Sequence, residues 1–140
     1  MAKLHLAPLS CLALLATLAS SSACTWGSDD RYSQGEVLCN DAQSCDAMWN
    51  AAESWIRENS ALALAERTDS LLETRCGRQA ESFACYTVMR QPLRSGEARI
   101  HIYIACGNDF IGCEQPATRL RNQLTEVMRG AVPFASATSY

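Results

Sequence analysis

Beyond Lys3 the 140-residue chain contains no lysine, beyond His5 its one histidine is His101, and no basic run occurs anywhere. A nucleic-acid partner is therefore disfavoured, because such binding rests on clustered cations that displace phosphate counterions. A polybasic lipid-binding patch is missing for the same reason. There is no CxxC redox motif and no CxxCH haem attachment, and the gaps between the paired downstream cysteines are five, eight and six residues rather than the two-residue knuckle of structural zinc sites. No metal site and no cofactor are expected. After the first two dozen residues there is also no apolar run approaching the roughly 20 residues of a membrane-spanning helix.

What the chain does have is cysteine, eight in all, and their positions divide as six plus one plus one. Cys11 lies in an apolar leader. Met1 to Ala23 carries Lys3 at its start, an apolar stretch from Leu6 to Ala19 interrupted by Pro8 and Ser10, and small residues at Ser21 and Ala23. Residues 1–23 thus read as a signal peptide, which places the rest in an exported, oxidising setting.

Two readings meet at the same bond. An ordinary signal peptidase would leave Cys24 as the first residue of a soluble exported chain. Alternatively, Ser21-Ser22-Ala23-Cys24 resembles the lipobox of bacterial lipoproteins, with Ser21 standing where an aliphatic residue is usual. That resemblance implies lipidation at Cys24, and Thr25 in place of the retention aspartate implies delivery to the periplasmic side of the outer membrane. Parity favours it: an unmodified Cys24 would leave seven cysteines in the mature chain, an odd thiol in an oxidising compartment.

From Cys24 onward 117 residues remain, one domain's worth, with eleven arginines against fifteen acidic residues. Residues 24–38, polar and interrupted by Gly27 and Gly35, read as the anchor cysteine and a flexible linker. The single domain is expected over 39–130, and 131–140 as a loose tail.

Within the domain, Met48, Ala52, Trp55 and Ile56 recur at helical spacing over 41–59, with Asn50, Glu53, Arg57 and Glu58 on the other side and Asp41 or Ser44 as cap. Trp49 and Trp55 read as core and core-edge packing. Residues 61–75 combine helix-forming composition with alternation at Leu62 and Leu64, and are read as a strand that Thr68-Asp69 could break. Residues 82–90 and 98–106 are aromatic and β-branched strands joined by a turn at Pro92 and Ser95-Gly96. In the latter, Ile100, Ile102, Ile104 and Cys106 share one face, Arg99, His101, Tyr103 and Ala105 the other. A second helix begins near Pro116, carries Ala117, Leu120, Leu124, Val127 and Met128 as its apolar stripe, and stops at Gly130.

The expected fold class is α+β: a three-stranded antiparallel meander with two helices on its isoleucine face, in the order α-β-β-β-α, stapled by disulfides. Nearest-neighbour pairing gives Cys39 with Cys45, Cys76 with Cys85 and Cys106 with Cys113. Cys76 with Cys106 or Cys85 with Cys113 also fits, since all three strands bring their cysteines to one end of the sheet.

Trp49, Trp55-Ile56, the run Thr68 to Thr74 and Gly112-Cys113 together resemble small uncharacterised envelope proteins of Gram-negative bacteria. The resemblance implies a location and brings no catalytic residue with it. Cys/His chemistry needs a free thiolate near His101, and six close-paired cysteines in an exported chain are expected to be oxidised. The carboxylate pairs Glu66/Asp69 and Asp109/Glu114 are what solvated loops and strand ends routinely supply. His101, Tyr103 and Arg99, on a rigid strand face, form the candidate binding surface. The expectation is a non-enzymatic, lipid-anchored envelope protein, a binding or accessory module for another envelope protein or a cell-wall component. A small exported hydrolase built on His101 and carboxylates, or a soluble periplasmic inhibitor-like protein, is the alternative.

Overall fold

The computed structural model describes residues 30–77, 82–108 and 111–132. Residues 1–23, expected to be a signal peptide, together with Cys24, Asp109 and the tail beyond Val132, lie outside the described residues. Seven elements follow in chain order: β1 (Tyr32–Cys39), α1 (Ala42–Asn59), β2 (Leu64–Arg67), β3 (Leu71–Thr74), β4 (Ala84–Pro92), β5 (Ala98–Cys106) and α2 (Ala117–Gly130). The strands form one antiparallel sheet in the order β1-β5-β4-β3-β2.

The α+β class is as expected, but the sheet has five strands rather than three, and the order is β-α-β-β-β-β-α. Two misreadings account for the difference. The segment expected as linker holds β1, which pairs along its whole length with β5, from Tyr32 opposite Ala105 to Cys39 opposite Ala98. The folded domain therefore starts before residue 39. The segment 61–75 is two strands, because Thr68 turns the chain: its N–H donates to the Leu71 carbonyl at 2.8 Å and its hydroxyl accepts from the Ser70 and Leu71 amides. Such a side-chain turn competes directly with continued strand.

Both helices pack on the isoleucine face. Ile100, Ile102 and Ile104 of β5 are fully buried with Val88 of β4, Leu72 of β3, Ile56 of α1 and Leu124 and Met128 of α2. Asp41 caps α1, accepting from the Ser44 amide at 2.8 Å, which holds its carboxyl below the usual range. Trp49 is buried, and Trp55 stands at the core edge against Tyr86 with ring centroids 5.7 Å apart, edge to face. Val127, expected in the α2 stripe, is 40% exposed, since the turn of the helix carries it past the edge of the covered face. Val132 packs against the core, so the chain is still anchored two residues past α2.

The disulfides join nearest neighbours: Cys39–Cys45, Cys76–Cys85 and Cys106–Cys113, with Cα atoms 5.1, 5.8 and 5.0 Å apart. Each spans one connection, β1 to α1, β3 to β4, and β5 to α2. Closing loops this short is worth about 2 to 3 kcal/mol apiece in the chain-entropy model.

Candidate functional site: the sheet face opposite the helices

Side chains alternate across a strand, so every residue placed outward by the register lies opposite both helices. On β5 these are Arg99, His101, Tyr103 and Ala105, as the sequence indicates, all half-buried. The neighbouring strands complete rows across the sheet: Glu36, His101, Met89 and Leu71 in one, Gln34, Tyr103, Thr87 and Glu73 in the next.

His101 is the hub. Its Nε2 lies 3.2 Å from Gln91 Oε1, within hydrogen-bond distance. Its Nδ1 turns to Glu36, 4.0 Å from the carboxylate, and its ring stacks with that of Tyr103 at a centroid separation of 6.4 Å and 25° between planes. Arg99 sends Nε to 3.7 Å from the same Glu36 oxygen. That nitrogen is shielded from water and makes no hydrogen bond, so charge alone relates the two groups.

The His101 and Tyr103 rings form a ridge between two shallow grooves. One, of about 360 Å³, is floored by Gln34, Gly35 and Glu36. The other, of about 530 Å³, is mostly apolar and runs over Leu71, Met89 and Pro92, with Ser70, Arg90 and Gln91 at its margin. The first is polar and carries one carboxylate beside the imidazole; the second offers hydrophobic contact and a hydroxyl. Together they suit a partner that lays an extended, mixed-polarity surface on the sheet.

The structure thus brings Arg99, His101 and Tyr103 together as sequence alternation indicates. The polar, glycine-interrupted sequence of β1 reads as linker and so hides Glu36, while Leu71, Met89 and Gln91 lie on a side of the sheet that only register decides. Extending the strand alternation back through Val37 and Glu36 would have been the available signal.

The Glu66/Asp69 pair does not assemble, and Asp109 of the other pair lies outside the described residues. Glu66 faces outward opposite Glu73, whereas Asp69 sits in the β2–β3 turn beside a different cavity, lined by Trp49, Asn50, Glu53, Arg67 and Thr68. Glu114 is exposed. Among the described residues the buried carboxylate is Glu53, which helical spacing puts on the outer side of α1. It meets Arg67 Nε at 2.5 Å and Arg57 Nη2 at 2.9 Å, and the Arg67 hydrogen bond, more than Arg57, holds its carboxyl below the usual glutamate range. This group ties α1 to β2.

Among the described residues no cluster of three or more His, Cys, Asp or Glu side chains could hold a metal ion, and no helix is long and apolar enough to cross a membrane. No protein-family model matches the chain, and no curated protein matches it significantly.

Proposed function

We propose that this is a non-enzymatic, exported and lipid-anchored envelope protein whose sheet face binds another envelope component, a protein or a cell-wall polymer. The observation that carries the reading is the one-sided sheet: both helices cover the isoleucine face, and the other presents the His101–Tyr103 ridge between two grooves. Half-buried rings held on a central strand are pre-organised for contact, at little entropy cost on binding. Three disulfides, each stapling one connection, suit a domain that works in an oxidising compartment. Lipidation at Cys24 would hold it at the membrane.

Two measurements test the reading. Radiolabelled palmitate enters the wild-type chain and not Cys24→Ala, and the wild type partitions with membranes; equal solubility of both, with an unacylated Cys24 by mass spectrometry, removes the anchor. Envelope components that co-purify with the wild type are lost from His101→Ala/Tyr103→Ala and kept by Arg129→Ala, on the exposed side of α2. Equal retention by both variants removes the face.

A further inference from the structure

The two edges of the sheet are built differently. β2 is four residues long, has a register shift between Leu64 and Glu66, and carries Glu66 and Arg67, all devices that discourage further pairing. β1 is eight residues long, pairs with β5 without a shift, and exposes Tyr32 and Leu38 at 50% and 53%. The Cys106 amide donates to the Arg31 carbonyl at 2.8 Å, so by alternation the main-chain groups of Ser33, Gly35, Val37 and Cys39 face β5. Those of Tyr32, Gln34, Glu36 and Leu38 face away. Of these, the Gln34 carbonyl accepts from Arg121 Nη1 at 3.0 Å, which occupies one of its two lone pairs.

We infer that β1 pairs antiparallel with β1 of a second copy about a two-fold axis at Gly35, joining two five-stranded sheets into one. The register follows from chemistry. Outward groups must meet outward groups, which puts the axis on a residue rather than between two, and the longest overlap of the eight-residue strand centres it on Gln34, Gly35 or Glu36. An axis at Glu36 sets two carboxylates side by side, and one at Gln34 sets Leu38 opposite Asp30. An axis at Gly35 sets Tyr32 opposite Leu38 and Gln34 opposite Glu36, apolar with apolar and amide with carboxylate, twice over. The Tyr32 hydroxyl already donates to Gln34 Oε1 at 3.3 Å, leaving the amide NH2 for the opposing Glu36. On the helix side the axis falls on a pair of glycines, each already crossed by the Arg121 methylenes of its own copy. The two outer faces then run on continuously, doubling the surface around His101 and Tyr103. The pairing stands whether or not Cys24 carries lipid.

The test uses the full chain made in an exporting host, with a photo-reactive benzoylphenylalanine at position 38. Irradiation gives a species of twice the chain mass, and its crosslinked peptide contains Tyr32. Glu36→Pro removes a donor that points away from β5 and so spares the fold, and it lowers the crosslink yield about tenfold. Leu38→Lys, at an exposed position, does the same in sedimentation should the proline disturb folding. A single-chain mass in sedimentation at about 100 µM, a level at which pairing of even 10 µM affinity is mostly formed, overturns the inference. A crosslink to another protein, or to any other part of the second copy, overturns it equally.

Discussion

The Arg121 guanidinium donates to the Gln34 carbonyl at 3.0 Å by passing its methylenes over Gly35, where a Cβ would stand 2.8 Å from Arg121 Cδ. This contact fastens α2 to the edge strand, and it needs position 35 to lack a side chain. Gly35→Val therefore costs more stability with Arg121 present than in an Arg121→Ala background. A double-mutant cycle by denaturant titration should give a coupling of about 0.5 to 1 kcal/mol.

The assignment of strand faces has a direct consequence. Ile102 is fully buried, so Ile102→Asp places an unpaired charge in the core and lowers stability by about 3 kcal/mol or more. His101→Ala, one residue along and on the other face, costs about 1 kcal/mol or less. Thermal melts of the two variants check the ranking.

Glu53 makes stability depend on acid. Its folded-state carboxyl is held below the unfolded value, so the ion pairs contribute fully above about pH 4.5 and the contribution is lost as pH falls through the lowered folded pKa. Glu53→Gln should be less stable than the wild type by about 1 to 2 kcal/mol at neutral pH, with Arg67 and Arg57 losing a charged partner. The gap should close in urea titrations carried well below pH 4.5.

Much of the core was legible in the sequence. Ile100, Ile102 and Ile104 alternate without interruption and are buried as their spacing demands, and α1 and α2 begin and end close to their expected caps. β1 was illegible because its inward positions include Ser33 and Gly35, while Tyr32 and Leu38 point outward, which inverts the usual polarity of a half-buried strand. The space above Gly35 is filled by a side chain 86 positions away, and a local pattern cannot report that. Glu36, Met89 and Leu71 were missed for a related reason: register, not composition, brings them beside His101.

The staples give a fourth expectation. Denatured without reductant, the six cysteines from Cys39 to Cys113 show no free thiol, and peptide mapping returns the three nearest-neighbour bridges. Replacing Cys106 and Cys113 together by alanine frees the connection into α2 and costs about 2 to 3 kcal/mol.

The central claim, that the sheet face opposite both helices is where this protein meets its partner, is tested most directly by photo-crosslinking in the intact envelope. A benzoylphenylalanine replacing Tyr103, on the ridge, should give a discrete adduct with an envelope component, whereas the same probe at Arg129, on the exposed side of α2, should not. Adducts at position 129 and none at 103 would contradict the account.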